Sequence, residues 1–340
     1  MKLPAGKLPA EMLRPWLESL AITDRAVVVG GALGEDAAVI DTGGPDLLVA
    51  TTDPITFASE DVGHYLLAVN GNDLAAMGAE PRWLLATVLL PEGIEREPAL
   101  EILERLSRAC AAAGVALVGG HTEITVGLDR PILVGCLLGT APRGRLVRTA
   151  GARVGDVILL AGGIAVEGTA ILAREHAAAL RARGLAPVLI ERAAGWLHTP
   201  GISVLPAARA AHSTGAAHAM HDPTEGGLLT ALHELAEAAG VGLRINRAAI
   251  SVLPECAAIC QALGLDPLGL LASGALLVTL DEAELPAALE RLGTAGIPAA
   301  PIGEVVPAAQ GRVLIDGPRT SPLPVFARDE LARCLETASW

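Results

Sequence analysis

Ala37-Ala38-Val39-Ile40-Asp41, Thr42-Gly43-Gly44-Pro45-Asp46 and Leu47-Leu48-Val49-Ala50-Thr51-Thr52-Asp53 form the stretch from which the fold is read. Two short apolar runs flank a turn built of Gly, Pro and Asp, the pattern of a β-hairpin. Downstream, the spacing predicts a helix over 60–78, a strand over 84–90, a helix over 97–113 and strands over 115–118 and 132–138. Strands and helices are mixed, so the first half reads as α+β.

The segment 140–154 is rich in Gly, Pro and Arg and has no period, which sets the expected boundary between a first domain at 1–150 and a second at 151–340. The second domain opens with a strand over 157–161, a Gly162-Gly163 turn and a helix from Glu167. Helices over 187–194 and 203–211, a helix over 223–239, strands over 242–245 and 275–280, a helix over 282–293 and a last helix over 327–336 follow. This is the pattern of an α/β domain on a mixed sheet.

At 340 residues the chain is long enough for two such cores, and 51% hydrophobic with 19% charged residues excludes extensive disorder. Aromatic residues are only 2%, so Ala, Val, Leu and Ile build the interior. A net charge of -13 without Lys/Arg clusters argues against nucleic acid as a partner. Mean hydropathy is +0.48, yet the longest apolar runs, such as 268–280, fall short of the ~20 residues that span a bilayer. No membrane partner and a cytoplasmic location are expected, since residues 1–15 carry no secretory pattern. The cysteines Cys110, Cys136, Cys256, Cys260 and Cys334 sit in apolar surroundings and read as reduced core thiols. Cys256 and Cys260 share one helix face, where packing is the better account than metal binding.

Chemistry concentrates in acidic residues beside glycines at element ends: Gly34-Glu35-Asp36, Thr51-Thr52-Asp53, Asn70-Gly71-Asn72-Asp73 and Gly119-Gly120-His121-Thr122-Glu123. Neither the dinucleotide glycine spacing nor a P-loop is present. Magnesium takes one or two carboxylates together with phosphate oxygens, and adjacent glycines let backbone N–H groups approach phosphates. Taken singly, each acid is also explained as a strand end or helix cap. In the second half, Asp222-Pro223-Thr224-Glu225 has the form of a capping box, with Gly226 and Gly227 in the first turn, where N–H groups favour an anion. Capping and substrate contact are compatible there. His218 and His221 are three apart. Lys7, beside Gly6, is either a phosphate-facing charge or a solvated residue.

In this order, Gly34-Glu35-Asp36-Ala37-Ala38, Thr51-Thr52-Asp53, Asn72 to Ala79 and Val118 to Glu123 resemble the superfamily of aminoimidazole ribonucleotide synthetase, thiamine-monophosphate kinase, selenophosphate synthetase and HypE. Glu167 to Leu172, His221 to Leu228 and the run 236–265 look most like the hydrogenase-maturation HypE branch. The resemblance implies an N-terminal ATP-binding domain forming a dimeric barrel, with ATP bound across a homodimer interface. It further implies Mg2+ on Asp36, Asp53, Asp73 and Glu123, and nucleotide contacts from Lys7, Gly34, Asn70, Asn72, Asp73, Gly119, Gly120 and Thr122. Asp73 and Asp222 would be catalytic. The implied activity is ATP-dependent activation of an amide-type oxygen by phosphorylation, on an unknown small-molecule or protein-bound substrate, with a maturation partner protein.

Two departures temper the transfer. Members of the HypE branch end in a Pro-Arg-Ile-Cys tail, whereas here Cys334 lies in an expected helix and is followed by Leu335 to Trp340. His121 stands where most relatives place an acid, leaving Glu123 as the substitute ligand. A small-molecule kinase or synthetase resembling thiamine-monophosphate kinase or aminoimidazole ribonucleotide synthetase, and a non-catalytic ATP-binding maturation partner, are the competing readings.

Overall fold

The computed structural model describes residue 3, residues 6–56, residue 58 and residues 61–337, with the side chain at 337 left aside. The first half runs α1 (Ala10–Glu18), β1 (Val27–Val29), β2 (Ala38–Ile40), β3 (Asp46–Ile55), α2 (Val62–Ala76), β4 (Glu80–Pro91), α3 (Arg96–Ala113), β5 (Ala116–Thr125) and β6 (Ile132–Pro142). Its strands form one sheet in the order β1-β2-β3-β6-β4-β5. All neighbours are antiparallel except β4 with β5. The hairpin read at 37–53 is β2 paired antiparallel with β3.

Side chains alternate between the faces of a strand. In β6, and in β3 as far as Thr51, every second residue is buried, and Leu47, Val49, Leu133 and Leu137 pack beneath α2. The opposite face stays open. Trp83, Leu85, Leu117, Val118 and Ile124 are exposed there or along the edge strand β5. In one chain the sheet is therefore open, with β1 and β5 at its edges, and the barrel implied above is not closed.

The second half runs β7 (Val157–Gly162), α4 (Val166–Glu175), α5 (Ala177–Ala182), α6 (Pro187–Ala194), α7 (Leu205–His212), β8 (Ala219–His221), α8 (Gly227–Ala238), β9 (Gly242–Asn246), α9 (Pro254–Leu263), β10 (Ala275–Leu280), α10 (Leu285–Thr294), β11 (Ala299–Val306), β12 (Arg312–Asp316), β13 (Arg319–Pro322) and α11 (Glu330–Thr337). Its sheet has the order β13-β12-β9-β11-β7-β10-β8, with only β9 and β12 parallel among neighbours. Strands β8 and β10 are buried throughout. They are covered on one side by α7 and α10 and on the other by α8, which explains why they read as unbroken apolar runs.

Two expectations need correcting. The helix expected from Pro223 begins at Gly227, and no capping box forms at Asp222. Gly226 and Gly227 have φ of 82° and 67°, a left-handed pair that stops helical winding from reaching back to Pro223. Side chains could not replace them, because a Cβ on Gly227 would lie 2.5 Å from Leu268 O. The Gly226 N–H is instead satisfied by Asp329 Oδ2 at 2.6 Å. The second correction concerns β5, which extends to Thr125 through Gly119 and Gly120 instead of ending at 118.

Helix α2 is buried on every side, among them the face towards α3, where Gly63 allows close approach. A Cβ there would meet Leu106 Cα at 2.7 Å and its N at 3.0 Å. Alanine gains at most about 1 kcal/mol of helix propensity over glycine, whereas forcing a packed backbone apart costs about 1–3 kcal/mol. Gly63→Ala is thus expected to lower the urea midpoint at unchanged m-value. An unchanged or raised midpoint would show that the α2–α3 spacing is not tight.

Candidate functional site

A cleft of about 820 Å³ opens between the two halves. The loop after β1 contributes Gly34, Glu35 and Asp36, strand β3 contributes Thr51 to Ile55, and α2 contributes Val69 and Asp73. From the second half come Glu167 on α4, His221 at the end of β8, the 222–225 loop, Glu234 on α8, Leu271 and Ser273. Gly6, Lys7 and residues of α11 complete the wall.

The acids are positioned by short, specific contacts. Thr51 Oγ1 donates to Asp73 Oδ2 at 2.5 Å. Asn70 accepts from Asp53 N at 3.0 Å through Oδ1, and its Nδ2 donates to Leu66 O at 2.9 Å. Asp36 Oδ2 accepts from Thr149 Oγ1 at 3.1 Å, while its Oδ1 lies 2.7 Å from His221 Nδ1. The other ring nitrogen of His221 lies 3.0 Å from Glu234 Oε2. A histidine held between two carboxylates is an imidazolium, and it pairs with the acids instead of offering a lone pair to a metal.

Charge crowding dominates the electrostatics. Burial, followed by the charges of Asp53 and Asp222, pushes the Asp73 carboxyl well above the usual range. Burial, then Asp36, does the same to Asp222. Burial opposes the charge on His221, but Asp36 and Glu234 outweigh it and raise its pKa well above normal. Burial also opposes ionisation of Glu234, yet Lys7 and His221 hold that carboxyl down to about 2. Lys7 is itself kept protonated chiefly by Glu234. Its Nζ lies 3.7 Å from Glu234 Oε1 and donates to Thr224 Oγ1 at 3.1 Å, and its backbone N–H donates to Glu225 Oε2 at 2.9 Å.

Asp36, Asp53, Asp73, Asp222, Lys7 and Gly34 thus line one cleft. Gly34 has a second duty: a Cβ on it would lie 2.9 Å from Glu234 O, so its absence lets the acidic loop pack on α8. Asn72 points elsewhere, donating to Ile202 O and accepting from Val204 N, both at 2.8 Å. Gly119, Gly120, Thr122 and Glu123 lie on the exposed edge strand β5, apart from this cleft, and Glu123 Oε2 pairs with His121 Nε2 at 3.2 Å. The two glycines allow β5 to bulge beside β4, where a Cβ on Gly120 would be 1.8 Å from Ala86 O.

Glu234 and Ser273 had no signal in the sequence. Both lie inside ordinary apolar stretches and reach the cleft through tertiary packing alone. Cys256 and Cys260 are buried on α9 with sulfurs 3.9 Å apart, as core thiols. Cys334 is buried on α11, burial raises its thiol pKa, and it is not among the cleft residues.

A divalent cation suits this donor set. Asp222 Oδ2 is buried with no hydrogen-bond partner, and the neighbouring carboxylates repel one another. Hard oxygen ligands of this kind match magnesium. Among the described residues, no helix is long and apolar enough to cross a membrane.

Residues 34–141 match the family model described as AIR synthase related protein, N-terminal domain, and residues 153–316 match the corresponding C-terminal domain. The carbamoyl dehydratase HypE of Rhodobacter capsulatus is 35% identical over 85% of this chain and 82% of its own length. The carbamoyl dehydratase HypE of Cupriavidus necator is 34% identical over 80% and 76%. Among solved structures, a HypE–HypF complex superposes with a TM-score of 0.74 at 23% identity, covering 94% of this chain and 100% of the other. A hydrogenase maturation protein HypE in complex with ATP gives 0.66 at 24%, covering 94% and 92%. At these identities the structural likeness speaks for the fold.

The ion pairs of His221 carry a pH signature. Its pKa is raised in the folded state, so its contribution is complete below the ordinary value of 6.5 and is lost as pH rises through the folded value. Glu234 is lowered to about 2 from 4.5, so its contribution is complete above pH 4.5 and is lost on acidification towards pH 2. The stability difference between the wild type and His221→Gln is expected to be greatest between pH 4.5 and 6.5 and to shrink on either side. Urea titrations carried below pH 4.5 and well above pH 6.5 that give the same difference throughout would rule out the imidazolium.

Proposed function

Because the chain belongs to the AIR synthase related protein family, in its HypE branch, we propose that it is an ATP-dependent enzyme that activates an amide-type oxygen by phosphorylation. The observation that carries this reading is the convergence of Asp36, Asp53, Asp73 and Asp222 from both halves on one cleft beside Lys7. Carboxylates crowded this closely are stable as anions only with a cation among them, which is why burial and mutual repulsion push Asp73 and Asp222 up in pKa. Asp36, Asp53, Asp73 and Asp222 would hold Mg2+, and Mg2+-bound ATP supplies the transferable phosphoryl group.

The chain's own residues then have distinct tasks. Lys7 lies at the mouth as a point charge, braced by Thr224, Glu225 and Glu234, where it can meet phosphate oxygens. His221 fixes Asp36 and Glu234, so the acids are oriented before the nucleotide arrives. Asp222, with a buried and unpartnered oxygen, is the group placed to contact the reacting phosphoryl group or its metal. Cys334, buried on the core side of α11, is unsuited to receive a transferred group, which supports a separate acceptor molecule.

The active unit is proposed to be a homodimer. The open face of the first sheet and the unpaired edge β5 expose Val118 at 55% and Ile124 at 62%. A second copy would bury this surface and close a shared barrel, removing the exposed edge. It would also bring Gly119, Gly120, Thr122 and Glu123 to an interface, which is how they could reach a nucleotide that they do not reach within one chain. A protein partner in maturation is proposed too, on the strength of the HypE–HypF complex among the structural relatives.

Calorimetric titration with MgATP tests the central claim. Saturable binding is expected for the wild type and a tenfold or greater loss for Asp53→Asn and for Asp73→Asn, neither with a lowered melting temperature. Wild-type affinity in both variants would remove the carboxylates from the nucleotide site. Turnover should release inorganic phosphate, because an activated oxygen is subsequently displaced, and a stable phosphorylated product would make the chain a kinase instead. For the dimer, Val118→Arg is expected to shift the wild-type species to half its mass in light scattering, and a variant that remains dimeric would move the interface elsewhere.

A further inference from the structure

Helix α1 has an apolar face that its own chain leaves uncovered. At about 100° per residue, Met12, Trp16, Leu13 and Leu17 fall within one arc of about 140°, while Glu11, Arg14 and Glu18 share the opposite side. None of its 9 residues is buried, and Met12 and Trp16 are 48% and 57% exposed. A helix this short, with Pro15 in its interior, is marginal in water by itself and draws its stability from packing such a face.

The chain holds α1 by its polar side and one flank. Arg14 pairs with Glu237 on α8, and Leu17 rests against Gly31, where a Cβ would stand 3.4 Å from its Cδ2. Met12 and Trp16 lie across the helix from Arg14 and reach solvent. A lipid surface does not suit this helix, because its polar side carries two acids and one arginine where an interfacial helix is cationic.

The matching surface lies on β5. Pairing of β4 with β5 sets Leu117 beside Leu84 and Ile124 beside Leu90, so each pair shares one face of the sheet. Leu84 and Leu90 are buried in the core with Leu66 of α2 and Leu106 of α3, whereas Leu117 and Ile124 are exposed. The helical layer thus stops one strand short of the edge. Helix α1 cannot fill that gap within one chain. It lies against Gly31, just after β1 at the other edge, and five strand spacings put the edges about 24 Å apart.

We infer that α1 is covered by a second copy: in the homodimer, Met12 and Trp16 of each chain pack over the partner's Leu117 and the partner's Ile124, completing its helical layer. Two-fold symmetry makes the contact twice. The largest apolar patch of a monomer is about 300–600 Å², and a stable interface takes about 800 Å² from each partner, so helix or sheet alone falls short and the two together suffice. Gly6 and Lys7, which line the cleft, stand just before α1, and Gly120 and Thr122 share the face of Leu117 and Ile124. The same contact therefore brings the partner's glycine motif towards the cleft mouth. This inference rests on the homodimer reading and adds the element that each copy gives to the other.

Dilution of the full chain, followed by light scattering, tests it. Trp16→Glu and Ile124→Glu are each expected to raise the concentration of half-dissociation tenfold or more, and since both side chains are exposed in one chain, neither change disturbs the core of the subunit. A short bismaleimide should link Met12→Cys to Ile124→Cys in a mixture of the two proteins, beyond what either gives alone. A mixture that links no better than its components would overturn the inference. So would a Trp16→Glu dimer as tight as wild type where Val118→Arg separates the chains, and the homodimer would then stand without α1. A wild type that is monomeric at every concentration would remove the homodimer and this contact together.

Discussion

Asn70, Asn72 and Asp73 leave helix α2 in different directions, and the architecture of the cleft depends on that divergence. At about 100° per residue, Asn70 and Asp73 fall on one face and Asn72 on nearly the opposite one. The first face lies over β3, whose residues 51 and 53 point the same way because side chains alternate along a strand. Asn70 therefore holds the backbone of Asp53 while Asp73 receives the hydroxyl of Thr51. On the other side Asn72 binds the backbone at 202 and 204 in the second half. One buried helix thus fixes the acidic strand β3 and joins the two halves, and a polar side chain at 72 is tolerated in the core because both ends of its amide are matched.

The same crowding that makes the cleft suitable for a cation works against the stability of the fold. Asp73 and Asp222 are buried near other acids, and their raised pKa values record the free energy that ionisation costs there. His221 and Lys7 compensate locally, but they pair with Asp36 and Glu234, and Asp222 stays raised despite their charges. Ligand binding then couples directly to stability, since anything that neutralises the inner acids stabilises the native state. The site is pre-formed, and its strain is electrostatic.

Much of this was legible in the sequence where a local rule governs it. The hairpin at 37–53, the helix at 62–76 and the buried strands at 157–162 and 275–280 follow from period and turn residues, and they need no tertiary information. The acids at 36, 53, 73 and 222 stand in short polar motifs between apolar runs, so they too are visible locally. What escaped depends on non-local packing. The start of α8 was misplaced because Asp222-Pro223-Thr224-Glu225 satisfies every local rule for a cap, while the left-handed pair Gly226-Gly227 and the bond from Gly226 to Asp329, 103 residues away, decide otherwise. Glu167, Glu234 and Ser273 were likewise silent as a set, because only the folded chain brings α4, α8 and the turn before β10 to one cavity.

The edge strand β5 shows why one chain reads as incomplete. Its bulge at Val118, followed by the paired Gly119 and Gly120, is costly in backbone freedom, and neither glycine lines the cleft of its own chain. Bulges are usually placed where a strand must be re-aimed. A strand so shaped, carrying Val118 and Ile124 into solvent and lying at an unpaired edge, has a conformation that its own subunit does not require. The economical explanation is that its partner is a second sheet edge. In the proposed dimer the glycine motif and the open apolar face would be one feature, since both lie on the surface that a second sheet edge would cover.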